Sequence, residues 1–138
     1  MTMLIEPMAV DTDDSVQPLL FVEPLPGFAD EDQYTITPID ERGLLFSLRS
    51  VRDPGLRFVL TPAGAFFPDY RPDLVSAVAG VLGGTDIEVL VMLTIGAGLI
   101  DATANLRAPV VVCRSTGRAV QVILDDESLP MRELLVRP

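Results

Sequence analysis

Hydrophobic residues in this chain fall mostly in short runs of strand length, separated by proline, glycine and acidic turns. Alternation with period two points side chains to opposite faces of a strand, whereas an unbroken apolar run fits a strand covered on both faces. The stretch from Asp101 to Leu124 holds both patterns. Val110, Val111 and Val112 form one strand without alternation, Arg118 to Leu124 form the next, and Ser115-Thr116-Gly117 supplies turn chemistry between them, which predicts a hairpin. Pro109 cannot donate to a ladder and holds Ala108 extended, so the first strand begins at Val110. Gln121 between Val120 and Val122 predicts a second strand with one buried and one wetter face.

The rest of the chain reads the same way. Met3 to Val10 is a first strand interrupted by Pro7, and residues 1–17 together predict a peripheral strand plus an acidic loop. Leu19 to Glu23 is a short strand, followed by a turn at Pro24-Leu25-Pro26-Gly27-Phe28 from which Phe28 packs back into the core. Gln33 to Ile39 alternates Tyr34 and Ile36 with Thr35 and Thr37. Leu44 to Val51 and Leu56 to Leu60 follow, on turns at residues 40–43 and 52–55, making an antiparallel meander. Thr61 to Tyr70 reads as irregular. Leu74, Val75, Val78, Val81 and Leu82 then recur at helical spacing, with Pro72 in the first turn, Asp73 at the positive end of the dipole and Gly83-Gly84 as a stop. They predict one short helix near residues 72–82, lying over one end of a barrel. Glu88 to Ile95 is a second fully buried strand, Leu99 to Leu106 one bent strand pairing back on it, and Pro130 to Val136 a final helical turn or a frayed tail. The expected fold is all-β, a compact antiparallel β-barrel-like domain with one short helix, in a single domain spanning residues 1–138.

Charge is distributed unevenly. Residues 1–41 carry ten acids and no base, and the remaining ten acids and ten arginines cancel, so the net charge of −10 belongs to the first third of the chain. Such a surface repels phosphate backbones, which argues against direct nucleic-acid binding, and steers a basic partner toward it. No apolar run approaches the ~20 residues that span a bilayer, and the acidic N-terminus is unlike a signal peptide. The expected location is the cytoplasm. The single cysteine, Cys113, excludes a disulfide framework and reads as a small buried apolar residue.

Histidine is absent, which removes the commonest general base, metal ligand and nucleophile partner together. Neither a CxxC nor a phosphate-binding glycine loop is present. The acids Asp30-Glu31-Asp32 and Asp125-Asp126-Glu127 lack the spacing of a calcium loop and read as solvated turns. Asn105, in an otherwise apolar run, must have its amide satisfied if buried, either by local backbone or by a bound partner. These features predict a non-enzymatic binding protein with no cofactor and no metal, since an edge or apolar groove with an acidic rim captures a partner without a reactive side chain.

The segments FVEPLPGF (residues 21–28), LFSLRS (45–50), FFPDY (66–70), VLVMLTI (89–95) and TANLRAPVVV (103–112) followed by RAVQVIL (118–124) resemble the FliW family of bacterial flagellar assembly factors, in order and spacing. The resemblance spans residues 18–135. It implies a β-barrel-like fold and partner switching: flagellin is bound in the cytoplasm, and when flagellin is exported the factor is free to bind the translational repressor CsrA, relieving repression of flagellin synthesis. It implies a monomer that binds no RNA and no membrane. Cys113, Pro24 and Leu129 depart from the family's usual asparagine, glycine and aromatic. Motif matching marks Phe28, Tyr70 and Asn105 as partner-binding candidates, and the charge pattern adds Asp30, Glu31 and Asp32. The alternative reading, a small-ligand-binding β-barrel, predicts a buried apolar pocket, whereas partner binding predicts a filled core and an exposed groove. A hydrolase would need converging polar groups in a cleft.

Overall fold

Tyr34 and Ile36 are buried while Thr35 and Thr37, which alternate with them, are half-exposed, so the period-two pattern sets which face of the meander turns inward. The computed structural model describes residues 16–74 and 80–136, and these form a mostly β domain with a closed seven-stranded barrel and one short helix. The strands are β1 (Gln17–Phe21), β2 (Gln33–Pro38), β3 (Phe46–Ser50), β4 (Arg57–Pro62), β5 (Ile87–Thr94), β6 (Thr103–Ala104), β7 (Val110–Cys113), β8 (Arg118–Gln121) and β9 (Glu133–Leu134). The helix, α1 (Ala63–Phe66), is a single turn directly after β4.

The barrel runs β1-β2-β3-β4-β5-β7-β8 and returns to β1. A ring with an odd number of strands cannot alternate direction throughout, so one pair must be parallel. That pair is β1 with β8, and it is short: Leu20 opposite Arg118 and Phe21 opposite Ala119. The long strand β5 forks, pairing through Ile87 to Leu90 with β7 and through Leu93 and Thr94 with β6, which β9 then extends. The expectation of a fully buried strand holds only at its centre: Leu90 and Val91 are fully buried toward opposite faces, whereas Val89, Met92 and Leu93 are half-buried and Thr94 and Ile95 are exposed, because the strand leaves the barrel wall where it turns to β6.

Inside the barrel Leu19, Phe21, Ile36, Leu48, Leu60 and Val110 form the main core, and Phe21 meets Tyr34 edge to face at 5.1 Å. The predicted hairpin is present, and β7 is buried along its whole length. Val110 and Val112 face the barrel interior, while Val111 and Cys113 face outward against Leu74 and Leu82. The covered outer face explains why the valine run shows no alternation. Asp86 holds the turn: its carboxylate accepts from the Ser115 hydroxyl at 2.6 Å, the Ser115 amide at 2.9 Å and the Cys113 thiol at 3.2 Å. These bonds, led by that from the Ser115 side chain, lower the Asp86 pKa below the usual aspartate value. Cys113 is buried as expected.

Several expectations need correction. Residues 61–70 are not wholly irregular: Ala63 to Phe66 turn helically, closed by the Phe67 amide donating to Ala63 at 2.9 Å. The predicted helix near residues 72–82 centres on residues 75–79, which lie outside the described residues, as does the strand expected at Met3 to Val10. Its flanking Leu74 and Leu82 pack on the outer wall of the hairpin. Leu99 to Leu106 is not one bent strand. A 3-10 turn at Leu99–Asp101 comes first, then the two residues of β6. The cause is Asp101, whose carboxylate accepts from the Ala97 and Gly98 amides at 2.9 and 3.1 Å and lies so close to Gly96 that a Cβ there would stand 2.7 Å from an oxygen. Residues 130–136 form no helical turn; β9 pairs with β6, and Leu135 is buried.

The Tyr34 hydroxyl is buried without a hydrogen-bond partner among the described residues. Tyr34→Phe deletes that orphaned group and is expected to leave the melting temperature unchanged or to raise stability by about 1 kcal/mol. A measured loss would reveal a partner for the hydroxyl. Gly117 closes the hairpin turn at φ 72°, where a Cβ would come 3.3 Å from the Pro18 carbonyl of β1. Gly117→Ala is expected to cost about 1–2 kcal/mol in denaturant unfolding, because it strains the backbone at the barrel's parallel seam.

Candidate functional site

The six candidate residues do not converge on one site. Phe28 and Asn105 come together at one open end of the barrel, Tyr70 lines a neighbouring recess, and the acids sit around a third.

The first recess, about 320 Å³, is a shallow apolar bowl at the barrel mouth. The Pro24-to-Phe28 turn builds one wall: Leu25 is buried, the Phe28 amide donates to the Leu25 carbonyl at 2.9 Å, and the Phe28 ring stands edge-on to Phe58 at 5.5 Å. Met92 and Gln121 form the floor and Asn105 the opposite wall. The Asn105 side-chain oxygen accepts from the Arg107 backbone amide at 3.0 Å, which is the expected contact to local backbone, and the Asn105 backbone N–H donates to the Met92 carbonyl at 3.0 Å. Arg107 is also committed, donating to the carbonyls of Leu129 and Glu127 at 3.0 Å each. The wall is therefore rigid and its polar groups are engaged locally.

Ile123 lies on the rim between this bowl and the second recess, about 550 Å³, which runs past Tyr70, Asp73 and Asp125. Tyr70 is half-buried and donates its hydroxyl to the Leu106 carbonyl, tying the segment after α1 to the approach to β7. Burial pushes its pKa up to about 12. Nearby, hydrogen bonds from the Ser128 hydroxyl and then its amide lower the Asp126 pKa below the usual value.

Asp30, Glu31 and Asp32 border the third recess, about 500 Å³, with Val51 and Arg52. Glu31 is not a free charge. It accepts from the buried Ser50 hydroxyl at 2.6 Å, and the Phe21 amide donates to the Asp32 carbonyl at 2.8 Å. Arg52 donates to the Asp30 carbonyl at 3.1 Å. The loop is thus anchored, leaving the carboxylates of Asp30 and Asp32 outward. Burial first, then the charges of Glu31 and Asp32, raises the pKa of Tyr34 behind them. Among the described residues no cluster of side chains is suited to a metal ion.

Sequence reasoning missed Phe58, Met92, Gln121, Ile123 and Met131 as lining groups. Ile123 and Met131 are 58% and 57% exposed, high for large apolar side chains. Ile123 continues the pattern of β8 and Met131 lies in the bend before β9, so neither position signals exposure in the sequence. The barrel interior beneath is packed, with Leu48, Leu60, Leu90 and Val110 fully buried, which favours a partner-binding rim over an enclosed ligand cavity.

The sequence matches the model of the FliW family, described as FliW protein, over residues 2–135. It is 36% identical over 122 residues to the flagellar assembly factor FliW of Bacillus pumilus, covering 86% of this chain and 85% of that protein. It is also 36% identical over 115 residues to the Bacillus subtilis factor of the same name, covering 81% and 80%. A crystal structure of the flagellar assembly factor FliW superposes with a TM-score of 0.78 at 29% identity, covering 91% of this chain and 89% of that one.

Tyr70→Phe is expected to cost about 1 kcal/mol of stability, because it leaves the Leu106 carbonyl without its donor. Linkage sets the alkaline behaviour. The unfolded phenol ionises near the ordinary value of 10.0 and the folded one near about 12, so Tyr70's contribution is complete below pH 10 and is lost across that window. Ultraviolet titration of the phenolate, compared between the native chain and Tyr70→Phe, checks this directly.

Proposed function

The chain belongs to the FliW family, and we propose that it is a non-catalytic flagellar assembly factor that binds flagellin in the cytoplasm and, once flagellin is exported, binds the translational repressor CsrA and relieves its repression of flagellin synthesis. The observation that supports this reading most is the barrel mouth. It offers an apolar, rigid, open rim above a filled core, a surface suited to a protein partner. Phe28 and the exposed Ile123 and Met131 supply the apolar contact, and the anchored acidic loop at residues 30–32 supplies a fixed negative field for steering a basic partner. Tyr70 and Asn105 act by shaping the walls, since the Tyr70 hydroxyl and the Asn105 side-chain oxygen are already engaged. The protein works as a monomer, and CsrA and flagellin compete for it.

Calorimetric titration with flagellin, followed by competition with CsrA, tests the switch. Micromolar or tighter binding, with each partner displacing the other, is expected; no binding to either partner overturns the reading. Met131→Ala, at an exposed position, is expected to leave the melting temperature unchanged and weaken flagellin binding by about tenfold, the size of a moderate hot spot. Asp30→Asn with Asp32→Asn is expected to slow association and flatten its salt dependence, because exposed charges beyond ~10 Å are screened at 0.1 M salt. Association that ignores salt in the native chain removes the acidic loop from the mechanism.

A further inference from the structure

The parallel seam between β1 and β8 ends early. The Val22 amide still donates to the Ala119 carbonyl at 2.9 Å, but the chain then turns away through Pro24 and Pro26, which have no N–H to offer. On its other edge β8 continues beyond Gln121: the Val122 amide donates to Pro109 at 2.9 Å and the Leu124 amide to Arg107 at 2.8 Å. Hydrogen-bonding direction alternates along an extended strand, so the N–H and C=O of Gln121 and Ile123 point the opposite way, toward the splayed seam. Among the described residues these groups meet no hydrogen-bond partner. They form a short open strand edge set between the apolar bowl and the recess bordered by Asp73 and Asp125.

We propose that this edge captures its partner by strand addition: an extended segment pairs with Gln121 and Ile123, sending apolar side chains into the bowl and basic side chains toward the acids of the second recess. An added strand alternates its side chains between two sides. One side here is walled by Leu25, Phe28 and Met92, and the other carries Asp69, Asp73, Asp125 and Asp126, with Arg71 donating to the Pro68 and Tyr70 carbonyls and Arg107, near Asp126, donating to the Leu129 and Glu127 carbonyls. The complementary segment alternates apolar and basic residues. This deepens the proposed function by giving the barrel mouth a binding mode, and it rests on that mouth being the docking surface.

The probe is a short synthetic peptide of alternating leucine and arginine, titrated into the isotope-labelled full chain, with a leucine-glutamate peptide as control. Binding is expected to shift the Gln121 and Ile123 amides and slow their hydrogen exchange by about tenfold or more, while the glutamate peptide does neither. Ile123→Pro removes one of the two donors without touching the ladder to Arg107 and Pro109, and is expected to weaken the peptide by about tenfold, whereas Ile123→Val retains binding. Native affinity in Ile123→Pro, or peptide binding that leaves both amides unaltered, overturns strand addition. Protection that appears with rising protein concentration and no peptide assigns the edge to a second copy of this chain and overturns it as well. Flagellin that binds without protecting these amides also overturns it while leaving the proposed function intact; peptide capture without flagellin binding supports the edge and sinks the flagellin reading.

Discussion

The barrel closes through a parallel contact of only two residue pairs, Leu20 with Arg118 and Phe21 with Ala119, and the rest of the architecture is arranged around that economy. With seven strands in the ring, one parallel pair is unavoidable, and parallel pairing is slightly weaker per residue. The short seam is reinforced from both sides. The Phe21 ring packs on Tyr34 inside, while outside the hairpin Leu74 and Leu82 clamp Val111 and Val120. Arg114 adds a brace at the turn of the hairpin, donating to Glu88 and to Gln17 of β1 and lying over the Phe46 ring at 5.7 Å. At roughly one-third exposure, the Arg114–Glu88 pair owes its value to this convergence of strands more than to its charge.

From that seam follows the character of the barrel mouth. Where β1 leaves the ring at Pro24, Phe28 folds back onto Phe58 and covers part of the gap, and Asn105 and Arg107 fix the facing wall through hydrogen bonds to backbone. The result is a rigid bowl with apolar rims. Because the Asn105 oxygen and the Arg107 guanidinium are held by backbone, a partner meets preformed walls there and incurs little ordering cost. The acidic loop at residues 30–32 adds a field beside its own recess, with Glu31 held by Ser50 and the carboxylates of Asp30 and Asp32 facing outward.

β5 has the opposite design. It is the longest strand, pairs with three others, and sits at the junction of two cores, one inside the barrel around Leu90 and one outside it around Val91, Ala104 and Leu135. The second core explains why the segment after α1 and the chain's last strand are ordered: Phe67, Leu106 and Leu135 share it, and Tyr70 reaches the Leu106 carbonyl across it.

By itself the sequence determined the strands of the meander, the strand β5, the hairpin and its turn, because period-two alternation, apolar runs, proline and glycine act over a few neighbouring residues. Tyr34 and Ile36 inward, Pro109 before β7 and Gly117 in the turn are all local rules. The family was equally legible, since its motifs are contiguous. Residues 99–106 were misread because Asp101 folds back on the amides of 97 and 98, a local side-chain bond that apolar patterning does not show, and residues 130–136 because β9 pairs with β6, which lies far away in the sequence. The same holds for the candidate site. Phe28 and Asn105 lie 77 positions apart and meet only because the ring closes, while Ile123 and Gln121 look like ordinary strand residues until β1 departs and leaves their edge unpaired. Strand pattern is a property of neighbours along the chain; where a barrel ends, and what its rim exposes, is set by pairing between strands far apart in it.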